Sequence, residues 1–101
     1  MMLLTKENRK ALPPLNANEN LKAPEAIVKF LTPDGNFTSY AMEFDGEDLF
    51  FGFVDGYEKE LGYFSLKELS SLRGAFNLPV ERDMYFKPTK LSELRGDNVA
   101  A

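Results

Sequence analysis

The stretch Phe37-Thr38-Ser39-Tyr40-Ala41-Met42-Glu43-Phe44-Asp45-Gly46-Glu47-Asp48-Leu49-Phe50-Phe51-Gly52-Phe53-Val54 decides the fold. Phe37 to Asp45 alternates, which places Tyr40, Met42 and Phe44 on one face of a strand and Ser39, Ala41, Glu43 and Asp45 on the other. Asp45-Gly46-Glu47-Asp48 is a turn, and in Leu49 to Val54 both alternating sets are apolar, so both faces of that strand should be covered.

Working outward, Ala26 to Thr32 is rich in β-branched and aromatic residues and stops at Pro33-Asp34-Gly35-Asn36, a proline-led turn whose glycine suits positive φ. Asp55 to Lys59 connects to a further strand, Glu60-Leu61-Gly62-Tyr63-Phe64, and a short edge strand is expected near Met84-Tyr85-Phe86. Ser65 stands three residues before Glu68 and ahead of Leu66, Leu69 and Leu72, a capping box on an amphipathic helix that should close at Gly74. Thr5 caps a short first helix ended by Pro13-Pro14, and Leu91 to Arg95 makes a last helical turn before Gly96. Leu12 to Pro24 reads as an extended connector. The expected architecture is a single α+β domain over residues 1–96. It holds a four- to five-stranded antiparallel meander, one capped amphipathic helix and short terminal helices; 97–101 is a frayed tail.

A chain of 101 residues can close one hydrophobic core, and 44% apolar with 28% charged residues is ordinary globular composition. No apolar run is long enough for a bilayer, and Met1-Met2-Leu3-Leu4 runs at once into Thr5-Lys6-Glu7-Asn8, so neither a span nor a signal peptide is expected and the cytoplasm is the expected compartment. The sequence has no cysteine and no histidine, which removes disulfides, thiolate metal sites, thiol nucleophiles and the commonest general base.

Charge is unevenly spread. Asp34 to Glu60 holds eight acids and one base, −7; the remainder holds eight acids and eleven bases, +3. Such polarity offers the middle segment to basic partners and repels nucleic acid from it. No Gly-x-Gly-x-x-Gly or P-loop pattern occurs, and the acids do not follow EF-hand spacing, so no catalytic residues, metal or cofactor are expected. For a carboxylate hydrolase, Glu43, Asp45 and Tyr40 would be the participants. Arg95-Gly96-Asp97 spells an integrin-type tripeptide at a helix end, read here as coincidence.

The rings of Phe37, Phe50, Phe51, Phe53, Tyr57, Tyr63 and Phe64 exceed what one sheet and one helix readily hide. Either they form an exposed patch edged by carboxylates, or Leu3, Leu4 and the first helix cover the second sheet face. The expected activity is therefore non-enzymatic recognition of a protein partner through Glu43, Asp45, Glu47, Asp48, Asp55, Tyr57, Glu58 and Glu60. A rival is a nucleic-acid-binding accessory factor using the basic C-terminal third, with Lys67, Arg73, Arg82, Lys87 and Lys90, although interleaved Glu68, Glu81, Asp83 and Glu93 suggest a salt-bridged surface there. An exposed edge strand also admits a homodimer.

Several runs in order resemble the bacterial domain-of-unknown-function family 2958. They are Lys29 to Asn36, Glu43 to Asp48 with Phe50-Phe51-Gly52, Glu60 to Leu66, Leu72-Arg73-Gly74, and Leu78 to Phe86. The sequence departs from that pattern at Phe37, where tryptophan is frequent, and at Ala75 and Asn77 after the Arg-Gly. The resemblance implies a small protein carried on plasmids, integrative elements or phages. It points to element maintenance, transfer or defence evasion, such as inhibition of a host CRISPR or restriction complex through a basic nucleic-acid-binding surface.

Overall fold

The structure, a computed structural model, describes residues 2–35, 37–74 and 76–96. The expected tail at 97–101, and the departures at Ala75 and the turn residue Asn36, lie outside the described residues. Elements follow the order α1 (Lys6–Ala11), β1 (Glu25–Ala26), β2 (Val28–Leu31), β3 (Thr38–Phe44), β4 (Leu49–Asp55), β5 (Lys59–Ser65), α2 (Leu66–Ser71), β6 (Glu81–Arg82), β7 (Thr89–Lys90) and α3 (Leu91–Arg95). The fold is α+β. Five antiparallel strands lie in the order β5-β4-β3-β2-β6, and β1 pairs separately with β7.

Short connections explain the meander: β3 to β4 and β4 to β5 turn back at once, so sequence neighbours become sheet neighbours. The strand expected over Ala26 to Thr32 is broken at Ile27, whose N–H still bonds to Ala41 O of the main sheet, while Ala26 and the preceding Glu25 pair with β7. The edge strand falls at Glu81–Arg82 rather than at Met84-Tyr85-Phe86. Asp83 Oδ1 accepts from Tyr85 N at 2.9 Å and turns the chain there, leaving Met84 and Tyr85 exposed.

The alternation expected along β3 holds as far as Met42, which shares the face of Tyr40, and fails at Glu43. The register against β4 slips between Ala41 and Glu43, a β-bulge that absorbs Met42, so Phe44 returns to the face of Ala41 rather than that of Tyr40. Two cores result. On the first face Val28, Phe30, Ala41, Phe44 and Phe50 pack with Leu4, Leu12, Leu69 and Val80, with Leu3, Phe64 and Leu66 at the margin. On the second, Met42 and Phe53 pack with Ala26 and Leu91, joined by Tyr40, Phe86 and Leu94. Leu3, Leu4 and Leu12 thus cover the first face together with α2, the first helix itself burying no residue, while α3 covers part of the second.

Gly52 sits opposite Ala41 beside the bulge, and a Cβ there would stand 1.9 Å from the carbonyl oxygen of Tyr40. Only glycine lets the strands approach at that point. Gly62, its neighbour across β4 and β5, has nothing within 4 Å of an ideal Cβ.

The helices are capped as the side chains dictate. Thr5 and Asn8 form a reciprocal capping box on α1, and Ser65 Oγ accepts from Glu68 N on α2. α2 ends earlier than expected: Leu72 is extended, and Gly74 is not its left-handed cap. Gly74 instead leaves room for the Asp34 carboxylate, which accepts from Phe76 N and ties the β2–β3 turn to the loop after α2. Gly35 closes that turn on Thr32 O without positive φ. Gly96, at φ 74°, does end α3 as expected.

Replacing Gly52 by Ala is expected to cost at least about 3 kcal/mol in urea unfolding, because the clash is with backbone. Gly62→Ala is the control, expected within about 0.5 kcal/mol of wild type. Equal effects at the two glycines would contradict the bulge geometry.

Candidate functional site

The eight residues expected to meet a partner do not form one surface. Glu43 is buried at 4% exposure on the second face, where its Oε1 accepts from Asn16 N at 2.8 Å and its Oε2 from Asn18 N at 2.9 Å. The bulge puts it there, opposite Phe51 rather than facing water. Its carboxylate pins the connector, whose Asn16 adopts φ 71° and whose turns close through Ala17, Glu19 and Leu21 amides. The segment expected as an extended connector is therefore folded onto the sheet.

Asp45 and Asp48 are occupied as well. Asp45 Oδ1 accepts from the amides of Glu47 and Asp48 at 2.8 Å and Leu49 at 3.0 Å, shaping the β3–β4 turn. Those bonds, that from Glu47 first, hold its carboxyl below the usual carboxylate range. Asp48 accepts from Lys67 N at 2.8 Å and from Ser65 Oγ at 2.7 Å, adding a second cap to α2. Glu47 is exposed beside them.

Asp55, Tyr57, Glu58 and Glu60 gather at the other end of β4, around the β4–β5 turn. Seven residues of extended chain hold the two turns about 20 Å apart, more than twice the screening length of about 8 Å in physiological salt. Tyr57 is fully exposed at the hairpin tip, with Glu58 and Glu60 exposed and Asp55 half-buried near it. The surface that remains for a partner is this tip.

A groove of about 260 Å³ on the second face was not visible in the sequence. It runs between the folded connector and β5, with Met42, Phe51 and Leu91 beneath and Leu61 and Tyr63 along its open side. The signal that could have found it is the pair Leu61 and Tyr63, two same-face apolar residues in a strand whose other residues, apart from Phe64 on the opposite face, are polar or small. A second opening of about 360 Å³ on the first side is bordered by Arg9, Arg73 and Ser70.

Tyr40 lies half-buried on the second face, with the Lys29 ammonium 5.8 Å from its ring centroid. Burial first, and then the charges of Asp55 and Asp83, push its hydroxyl above the ordinary value. In the C-terminal third, Lys67, Arg73, Lys87 and Lys90 are exposed and form no ion pair among the described residues, and Arg82 donates to Met2 O. Asp83 pairs with Lys29 at 3.8 Å instead. Among the described residues no group of three or more acids could hold a metal ion, and no helix is long and apolar enough to cross a membrane.

The fold and site define a small antiparallel-sheet domain with two partly separate cores, one open sheet edge and an acidic hairpin tip. Residues 3–95 match the family described as "Protein of unknown function (DUF2958)", and the chain belongs to that family. No curated protein and no solved structure gives a match.

Glu43→Gln keeps the shape but removes the charge and one acceptor; it is expected to cost about 1.5 to 3 kcal/mol and to speed tryptic cleavage at the exposed Lys22. Unchanged cleavage would contradict the pinning role. The depressed Asp45 pKa adds stability that is complete above the ordinary carboxylate pKa and is lost as pH falls through the folded value. Asp45→Asn should therefore be less stable than wild type at neutral pH, with the gap narrowing in strong acid.

Proposed function

We propose that the chain is a non-enzymatic binding protein that engages a protein partner through the β4–β5 hairpin tip. The observation that carries this reading is Tyr57, fully exposed at the tip, with exposed Glu58 next to it in the turn and Asp55, Lys59 and Glu60 at the adjoining strand ends, a net acidic group. A rigid ring on a two-stranded turn is an anchor with little entropy to lose, and carboxylates around it steer it toward cationic surfaces. The partner of this chemistry is a basic, nucleic-acid-binding face of a host complex. Together with the family resemblance, this favours a role on a mobile genetic element as an inhibitor of a defence nuclease of the CRISPR or restriction type.

The residues that a hydrolase would use support the non-enzymatic reading. A general acid needs a raised carboxyl pKa, whereas Asp45 is held low; Glu43 is saturated by two amides; Tyr40 is held protonated. The second reading, nucleic-acid binding by the C-terminal third, is favoured by the exposed Lys67, Arg73, Lys87 and Lys90, which form no ion pair among the described residues.

The triple reversal Asp55→Lys, Glu58→Lys, Glu60→Lys is expected to abolish partner recovery in affinity purification from host cells, and Tyr57→Ala to reduce it at least tenfold. Unchanged recovery by the triple variant would contradict the tip. A mobility-shift assay separates the second reading: binding to nucleic acid that weakens with salt and is lost on reversing Lys87 and Lys90 would support it instead.

A further inference from the structure

The two edges of the sheet are finished differently. β6 is two residues long, whereas β5 runs seven residues, pairs with β4 without a bulge, contains no proline and has no strand on its outer side among the described residues. Leu66 N donates to Asp48 O at 2.8 Å, and an antiparallel ladder repeats every second residue. The backbone groups of residues 60, 62 and 64 therefore turn toward β4, and the N–H and C=O of Lys59, Leu61, Tyr63 and Ser65 turn outward. An unblunted edge of this kind is a template for another strand. Charge protects only its start, at Lys59 and Glu60; Leu61 to Ser65 carries none. Leu61 and Tyr63, 42% and 60% exposed, stand side by side on the second face and open into the apolar groove.

The geometry points to a second copy of this chain as the occupant of the edge, joined β5 to β5 in antiparallel fashion about a two-fold axis at Gly62. Two five-stranded sheets then become one continuous sheet. Self-complementarity selects both the partner and the register. An axis at Gly62 is the one placement that pairs every position from Lys59 to Ser65 with another in the same strand. Leu61 then faces Tyr63 of the partner copy on both sides of the axis, Glu60 meets an aromatic ring at Phe64, and Lys59 meets the Ser65 hydroxyl. No like charges are opposed, whereas an axis at Glu60 would set two carboxylates face to face. The Lys59–Ser65 and Leu61–Tyr63 pairs exchange backbone hydrogen bonds through the outward groups. Gly62 meets its own copy at a position with open space where a side chain would begin. The two hairpin tips lie at opposite ends of the joined strands, so the assembly stands independently of the partner reading above.

The test uses the absence of cysteine in the chain. At the two-fold axis the Gly62 Cα atoms should lie about 4.5 Å apart, within disulfide reach. Gly62→Cys is therefore expected to give a covalent dimer on mild oxidation, while Glu58→Cys, at the tip, stays monomeric. Sedimentation of the wild-type chain should show a mass that doubles as concentration rises. The Leu61→Lys, Tyr63→Lys variant should remain monomeric with unchanged far-ultraviolet circular dichroism. A wild-type monomer throughout its soluble range would overturn the proposal, as would Gly62→Cys cross-linking no faster than Glu58→Cys. Should the double variant fail to fold, the cysteine pair still decides.

Discussion

One extra residue in β3 organises the molecule. The bulge at Met42 turns a strand that would otherwise serve a single core into one that feeds two: Ala41 and Phe44 pack on the first face, Tyr40 and Met42 on the second. A bulge needs the facing strand to accept a close backbone approach, and Gly52 supplies this by having no side chain where the Tyr40 carbonyl enters. Each half of the device requires the other. Without it, Phe44 would leave the stack in which its ring lies 4.5 Å from that of Phe50, and the aromatic series through Phe30, Phe50 and Phe64 would lose a member.

The same slip determines which acids remain available. It turns Glu43 onto the second face, where two connector amides meet its carboxylate and the buried charge is satisfied by hydrogen bonds rather than by a counter-ion. With Asp45 shaping a turn and Asp48 capping α2, the strongly acidic middle segment divides into acids that build the fold and acids that face solvent. The solvent-facing group at the β4–β5 tip and the bare edge of β5 are adjacent in sequence but point differently. One leaves the end of the sheet and the other extends its plane. A small domain can therefore offer two surfaces of different chemistry.

Much of the architecture was legible in the sequence because local signals agreed with the global fold. The turn at Asp45 to Asp48, the strand Leu49 to Val54, the caps at Thr5 and Ser65, and, within a residue, the connection expected over Asp55 to Lys59 stand where pattern and turn chemistry put them. What was not legible depended on contacts distant in sequence. Period-two alternation assumes an unbroken ladder, so it could not reveal the bulge, and the face assignments of Glu43 and Phe44 inherited that error. The termination of α2 at Leu72 reflects Gly74 receiving Asp34, forty residues away in the chain. Asn16 and Asn18 looked like loop residues, and only the position of Glu43 makes their amides part of the core's edge. Net charge by segment marked the acidic region but could not separate the capping acids from the free ones.

In this fold β3 serves two cores divided at Met42. The most direct measurement is the set of nuclear Overhauser contacts from the Met42 methyl group and the Phe44 ring in the folded protein. Met42 should show contacts with Phe53 and Leu91 and Phe44 contacts with Phe50 and Leu12, with no residue shared between the two sets. Met42 and Phe44 reporting contacts to one and the same cluster would contradict it.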